Sequence, residues 1–540
     1  MESVHVERLD HLGLIASVIK DLGLIRMIDA RIVPDEQEEI TPGEAVAGMI
    51  LNGLGFANRP LSLTPPFFAN KPLDLLFREG MRAEMCNRFK LGRTLDEVYT
   101  YGCDLLCSEL ALAVCVQEGI EQRFHHLDTT SFSLSGDSVP ESDEPAIHST
   151  HGSSKDHRPD LQQAVLELIV SQDGGVPLVS KSWDGKASDT QIFQERAQAL
   201  MTAFARAPTP RYLVADAKRY TEDRAAPLAK LGFVTRMPGT LKLVSQVISH
   251  ALAWDMWHAL DDRTRYQSLE LCHYGMAQRW LVVSSQAALE RAEASVSTAQ
   301  QREWEAIEKQ LFHWQAKRFE RPEAAHAALA VLTKAWRYHE VERCHRIEQA
   351  HYAGKGRPTP TSPITSIDWQ IHVQARPDHE RITLRTQQGA CFGIGTNIDA
   401  GHVSDAAVIH AYKAQAHAEG GFRFLKDPLF FVSSLFVKKP CRIQGLLMVM
   451  TLALLVYAVT QRRLRGQLAR QHDTIPNQIN QPTARPTLRW VFQLLEGIHR
   501  VRVTVQGTVH DLIEGLNEVQ IKILRLFGEE VCRLYQISPG

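Results

Sequence analysis

Three acidic residues stand where carboxylates can do chemistry: Asp128 in the strand-like LDTTSF, Asp216 closing the apolar run of LVADAKRY, and Glu419 in YKAQAHAEGGFRFLK. If the strands that carry the first two, the first and fourth of the expected sheet, lie side by side, the Asp128 and Asp216 carboxylates emerge near one another. Spacing alone does not establish this, because an aspartate at a strand end equally starts a turn or caps a helix. The third acid is more informative. Tyr412, Gln415, Glu419 and Lys426 recur at i, i+3, i+7 and i+14, which at about 100° per residue is a face roughly 60° wide. A narrow stripe of Tyr, Gln, Glu and Lys is not a core stripe. It is either a solvated face or one turned to a ligand. Phe422, Phe424 and Leu425 follow at once and anchor the helix. Gly420-Gly421 is expected to interrupt it just after Glu419, permitting close approach of backbone or ligand at a cost in helix stability.

Other residues carry weaker signals. Lys155, His157 and Arg158 form a basic cluster in SSKDHRPD, read either as a DNA contact or as a solvated loop. Lys438, Lys439, Arg442, Arg462, Arg463, Arg465 and Arg470 make a locally basic zone in a chain of formal net charge −2. Such a zone can supply salt-dependent affinity for a phosphate backbone or be an ordinary charged surface. His125 and His126 precede Asp128 on one strand and point to opposite faces, so both cannot serve its site. Trp304, Trp314 and Trp336 read as core residues or as a stacking platform. The nine cysteines include no CxxC pair, so reduced thiols are expected and a zinc site is not.

These residues need a scaffold. Residues 1 to about 120 show helical periodicity, with Thr41 as N-cap, Pro42 at the first helical position and Glu44 at the capping-box position. After residue 120 the pattern changes. RFHHLDTTSFSLSG, LQQAVLELIVS and VPLVSKSW read as strands, the last two joined by Gln172-Asp173-Gly174-Gly175, a hairpin signal. Helices then alternate with the strands RYLVAD and FVTRM. The order β-β-β-α-β-α-β predicts a mixed sheet with helices on its faces.

An insert over 240–402 is expected to combine strands, among them RITLRTQQGACFGIGTNI, with a long amphipathic helical stretch from about 286 to 350. GKGRPTPTSP (354–363) reads as a loop. The core resumes over 403–460 and includes Ile443 to Val459, IQGLLMVMTLALLVYAV, which falls short of the ~20 apolar residues of a spanning helix. A buried helix is the expectation there, with no membrane partner. Residues 461–540 form a C-terminal region for DNA binding or dimerisation. A chain of 540 residues, 44% apolar and 23% charged, suits a multi-domain globular protein. The N-terminus lacks an apolar signal core.

Taken together, YKAQAHAEGGFRFLKDPLFF and the following KKPCRIQGLLMVMTLALLVYA resemble the C-terminal signature of bacterial insertion-sequence transposases of the DDE type, in the hairpin-forming cut-and-paste branch. In that family the helix carries Tyr, two residues, Arg, three residues, Glu, six residues and Lys. Tyr412, Glu419 and Lys426 match this spacing, and Gln415 stands in place of the Arg. HHLDTTSFSLSG and SKDHRPDLQQ resemble the region of the first aspartate, and LVADAKRY that of the second. The resemblance runs in order over about 120 to 460.

It implies an α+β fold: a ribonuclease H-like core over 121–239 and 403–460, interrupted after its fifth strand by the insert, with an N-terminal all-helical domain over 1–120 that could bind DNA. It implies that Asp128, Asp216 and Glu419 bind two Mg²⁺ or Mn²⁺ ions, hard cations that prefer oxygen ligands. Tyr412, Gln415, Arg423 and Lys426, with Lys155 and Arg158, would contact DNA. The partners implied are duplex DNA at terminal inverted repeats and at a target, and a second copy of the chain in a homodimer in the cytoplasm. The reaction would be hydrolysis of a strand followed by attack of the freed 3′-hydroxyl. A nuclease without strand transfer, a catalytically inactive DNA-binding derivative and an assembly protein are the alternatives.

Overall fold

The computed structural model describes residues 3–56, 60–134, 147, 150–151, 162–185, 187, 189–216, 220–222, 225–353, 357, 359–360, 362–427, 430 and 439–539. Lys155, His157, Arg158 and Lys438 lie outside these, as do residues 354–356, 358 and 361 of the expected loop. About 48% of the chain is helical and 25% is strand, which makes it a mixed α/β protein with a large mixed sheet. It divides into two compact units, 1–235 with 410–540, and 236–409.

The first unit opens with a strand, β1 (Ser3–Arg8), where an all-helical start was expected. Helices follow: α1 (Leu12–Asp21), α2 (Leu24–Asp29), α3 (Pro42–Leu54), α4 (Thr64–Phe68), α5 (Leu73–Leu76), α6 (Arg88–Tyr101) and α7 (Cys103–Glu118). α3 starts as its sequence dictates. Thr41 accepts from the Glu44 N–H, and the Glu44 carboxylate accepts from the Thr41 N–H. Two otherwise orphaned donors are thereby satisfied.

The sheet of this unit comprises β2 (Phe124–Leu134), β3 (Thr150–His151), β4 (Gln162–Ser171), β5 (Pro177–Asp184), β6 (Tyr212–Ala215) and β7 (Phe233–Arg236). α8 (Asp189–Ala205) and α9 (Ala225–Lys230) connect its later strands. β4 is antiparallel to β2 and also pairs with β3 and β5, while β2, β6 and β7 run parallel. In the β4–β5 turn the Ser171 N–H donates to the Val176 carbonyl at 2.9 Å, and the Val176 N–H donates to the Ser171 hydroxyl at 3.1 Å. Gly174 (φ +82°) and Gly175 (φ +67°) take the left-handed conformations this turn needs.

The second unit holds α10 (Lys242–Trp254), β8 (His258–Asp261), β9 (Thr264–His273), β10 (Met276–Ser285), α11 (Gln286–Trp314), α12 (Pro322–Thr333), β11 (His339–Tyr352), β12 (Ile364–Pro377), α13 (His379–Gly389) and β13 (Cys391–Thr396). Two expectations fail here. The helical stretch ends at Thr333, and His339–Tyr352 is a strand paired antiparallel with Ile364–Pro377. Its Glu, Arg and His content disguised a ribbon that is specified by backbone pairing more than by burial. RITLRTQQ, expected as a strand, lies in α13, whose N-cap Asp378 accepts from the Arg381 N–H. Trp314 and Trp336 pack in a core with Ile307, Ala325, Leu329, Ile371 and Val373. The Trp314 indole donates to the Ile371 carbonyl at 3.0 Å. Trp304 packs at a tilt against His339, ring centres 5.4 Å apart.

The chain re-enters the first unit within α14 (Asp405–Lys413) and continues through α15 (Ala416–Leu425) and α16 (Pro440–Arg470). After these come β14 (Ile475–Pro476), β15 (Pro482–Thr483), α17 (Leu488–Leu494), β16 (His499–Val505), β17 (Thr508–Glu514), α18 (Glu518–Arg525) and α19 (Glu529–Leu534). β16 pairs with both β17 and β1, so the two ends of the chain share one sheet. Arg500, buried on β16, locks this arrangement with salt bridges to Glu7 and Asp74. α16 is long and apolar enough to cross a membrane, but 89% of its most apolar window is buried in the fold. It contacts α3, α6, α7 and β5 and is the central core helix of the unit.

Candidate functional site

The acids are positioned by strand register. On the parallel pair β2–β6, Leu127 lies opposite Ala215. One residue further along each chain come Asp128 and Asp216. Asp128 lies within β2 and Asp216 is the first residue past β6, so extending the β2–β6 register by one residue sets the two on neighbouring backbones. Both residues are half-buried. The Asp128 carboxylate accepts from the Thr129 N–H at 2.7 Å. Strand alternation adds His126, Thr130 and Phe132 to the face of Asp128, together with Leu168, which lies opposite Asp128 on β4.

α15 packs on that face, and three contacts fix its path. The His417 Nδ1 stands 3.1 Å from the carbonyl oxygen of Gln172, whose N–H donates to the Phe124 carbonyl at the start of β2. A Cβ on Gly421 would lie 3.5 Å from Leu168 Cδ2 and 3.1 Å from Leu454 Cδ2 of α16. The Lys426 ammonium sits 5.8 Å from the centre of the Phe132 ring. The helix therefore tracks β2 from its beginning towards its end. Glu419, between His417 and Gly421, is exposed, and its side chain has no hydrogen-bond or ion-pair partner among the described residues.

The helix differs from its expected form in two ways. Gly420-Gly421 does not interrupt it, and α15 runs through both glycines to Leu425. The absent side chain of Gly421 serves close packing between β4 and α16 instead. The break comes earlier, at Ala414–Gln415, between α14 and α15. There the Gln415 N–H bonds the Tyr412 carbonyl at 3.0 Å, a tighter i to i+3 turn. Tyr412 and Glu419 thus belong to two helices, and the single 60° stripe does not carry across. Tyr412, Gln415 and Lys426 are half-buried, and Arg423 is exposed.

His126 is a feature of this face that spacing could not reveal. It is fully buried, and neither ring nitrogen has a hydrogen-bond partner. Burial, helped by the nearby His417, pushes its pKa down to about 3. The ring is therefore neutral and apolar in effect, two residues before Asp128 on β2. His125 points the other way, hydrogen-bonds the Gln122 carbonyl and packs edge-on against Phe204 of α8. Burial also lowers its pKa, to about 4.

Three arginines of the expected basic zone are consumed by the fold. Arg442 forms two hydrogen bonds to Asp96, Arg462 two to Asp173, and Arg463 pairs with Glu118 and Asp21. These arginines tie α16 to its neighbours and are not available to a ligand as the chain stands.

Among the described residues, no three His, Cys, Asp or Glu side chains are grouped closely enough to hold a metal ion. The donor chemistry of the Asp128–Asp216 pair does fit a hard divalent cation. Such ions typically take one or two carboxylates, with water and phosphate oxygens completing the shell.

Comparison with known proteins adds little. Residues 4–112 match a family model described as a domain of unknown function (DUF4277). No curated protein matches the chain. Among solved structures, the piggyBac transposase synaptic complex with hairpin DNA is similar at 8% identity and a TM-score of 0.33, over 89% of this chain and 79% of that one.

Proposed function

We propose that the chain is a DDE-type DNA transposase that cuts strands at transposon ends and joins the freed 3′-hydroxyls to target DNA. The observation that carries the reading is the β2–β6 register, which pairs Leu127 with Ala215, the residues just before Asp128 and Asp216, together with the packing of α15, which bears Glu419, on β2 and β4. The ordered motifs LDTTSF, LVADAKRY and YKAQAHAEGGFRFLK support it. So does a middle unit that follows β7, the fifth strand of four or more residues in the first unit's large sheet, as the resemblance to a ribonuclease H-like core with an insertion implies.

In this reading Asp128 and Asp216 hold divalent ions from the sheet, and Glu419 completes the set from α15. Bound Mg²⁺ or Mn²⁺ would polarise the scissile phosphate and lower the pKa of attacking water. In the first step water forms a bond to phosphorus, the P–O3′ bond breaks, and a 3′-hydroxyl leaves with a proton. In the second step that 3′-hydroxyl attacks a target phosphodiester in the same way. Lys426, at the far end of α15, would bind a phosphate and set the register of the strand without reading its sequence. A homodimer would hold two ends together.

The test is to incubate the purified chain, with Mg²⁺ or Mn²⁺, with DNA that includes the sequences flanking its own reading frame, and with a supercoiled plasmid. Cleavage at the ends and joined product are expected. Cleavage without joined product would reduce the enzyme to a nuclease. Absence of both with the wild type, in either metal, would overturn the reading.

A further inference from the structure

The C-terminal third of α16 walls a cavity of about 820 Å³, closed by the β4–β5 turn, the end of α7, the segment before α17 and Phe527. This is the size range of ligand sites rather than of single ions. Five arginines and two carboxylates line it. The charges do not balance locally. Asp173 is taken by Arg462 and Glu118 by Arg463. Arg465, Arg470 and Arg485 have no carboxylate partner among the described residues.

Arg465 is half-buried, and its Nε donates to the Pro486 carbonyl at 2.9 Å. That bond orients the guanidinium and leaves its two terminal nitrogens as donors. Burial and the facing Arg485 both act against its charge, lowering its pKa from the ordinary arginine value. Two guanidiniums turned to one cavity without an acid between them are unfavourable when empty and are relieved by an anion. A planar fork suits phosphate oxygens. The half-buried Phe527 ring and Leu526 on the same wall offer a surface on which a base can stack. His417 of α15 also lines the cavity, two residues before Glu419.

We infer that this cavity is a phosphate-binding site for a DNA strand, with Arg465 and Arg485 as its ligands, and that it feeds the strand past the acid-bearing helix. The last clause rests on the proposed function; the phosphate site itself does not.

The experiment is fluorescence anisotropy of labelled single-stranded and duplex oligonucleotides with the full chain over a range of salt. Arg485→Gln is the cleaner variant, because the side chain is exposed and makes no bond that the fold needs. Arg465→Gln and the double variant accompany it, with thermal melting to confirm folding. Arg485→Gln is expected to weaken binding about tenfold and the double variant about a hundredfold, with the log–log salt slope falling by about 0.9 for each arginine on duplex. Affinity within twofold of wild type and an unchanged slope would overturn the site. Inorganic phosphate and a deoxynucleoside monophosphate are titrated separately by calorimetry. If they bind and Arg485→Gln abolishes this while oligonucleotide binding is unchanged, the site serves free phosphates and the assignment to DNA falls. The two proposals fail separately. A wild type that binds DNA through these arginines but cuts none keeps the site and loses the transposase. A wild type that cuts, with arginine variants that bind and cut equally, does the reverse.

Discussion

The two faces of β2 and β4 treat their acids in opposite ways. On one face Glu167 is completely buried, and its carboxylate accepts two hydrogen bonds from Arg196, at 2.7 and 3.1 Å, and one from the Trp183 indole at 2.9 Å. On the other, reached by a single step along β2 from Thr129 to Asp128, Asp128 and Asp216 each follow a residue of the Leu127–Ala215 pair, and the helix with the exposed Glu419 packs against β2 and β4. A buried charge is kept when it is paired and fully hydrogen-bonded. Placing two like charges together costs stability and is a common way in which a fold prepares a site for a cation. Glu167 is therefore structural, and the Asp128–Asp216 pair is the part of the sheet with chemistry to explain.

Substitution separates the two faces most sharply. Asp128→Asn or Asp216→Asn is expected to lower metal-dependent DNA cleavage by about a thousandfold or more, the equivalent of about 4 kcal/mol of transition-state stabilisation. Neither change should lower the urea midpoint measurably. Glu419→Gln should follow the same pattern, and wild-type cleavage in any of the three would refute the assignment. Arg196→Met should do the opposite. It leaves Glu167 buried without its cation and should cost about 3–5 kcal/mol in urea unfolding. A loss below about 1 kcal/mol would mean that the Glu167 network is not the structural half of the pair.

Much of this contrast was legible in the sequence, for local reasons. β2 and β4 announce themselves by β-branched and aromatic residues, and their sheet order follows from the Gly174-Gly175 turn and the helices that alternate with later strands. Asp128 could be singled out by strand order and its LDTTSF setting, and Asp216, which closes a short apolar run, mostly by the family resemblance. Non-local facts were hidden. β1 is a strand only because β16, nearly 500 residues later, supplies its partner. The break at Ala414–Gln415 has no glycine or proline to mark it, whereas Gly420-Gly421 looked like a break and is a packing contact. Arg442, Arg462 and Arg463 of α16 resembled a basic surface because their acids, Asp21, Asp96, Glu118 and Asp173, come from distant segments.

The buried histidines give the comparison a pH axis. His125 and His126 flank the sheet on its two faces, and burial lowers both, to about 4 and about 3. Each folded value lies below the ordinary 6.5, so the unfolded chain takes up protons first as pH falls. The stability these rings contribute is complete above about pH 6.5 and is lost progressively towards pH 4 and 3. The expected slope is about 1.4 kcal/mol per pH unit for each ring in that window. His11, lowered to about 4 by burial, adds to it. His126→Leu should flatten the acid limb and leave stability at pH 7.5 unchanged or slightly raised, because neither nitrogen of His126 has a hydrogen-bond partner to lose. An acid limb as steep as wild type would show that the ring is not buried neutral beside Asp128.

The smallest effects separate the two glycines on the acid-bearing helix. Nothing lies within 4 Å of a Cβ built on Gly420, while one on Gly421 meets Leu454 and Leu168. Gly420→Ala should therefore stabilise the chain by about 0.5–1 kcal/mol, through helix propensity alone. Gly421→Val should cost about 1–3 kcal/mol, because a branched side chain overfills the space between β4 and α16. It should also push α15 off the sheet and so lower cleavage, although Gly421 carries no group that touches DNA or metal. Urea unfolding of both variants, with cleavage measured on the same samples, tests this. If Gly421→Val is as stable and as active as Gly420→Ala, α15 does not need its close seat over Leu168, and the carboxylates are brought together in some other way.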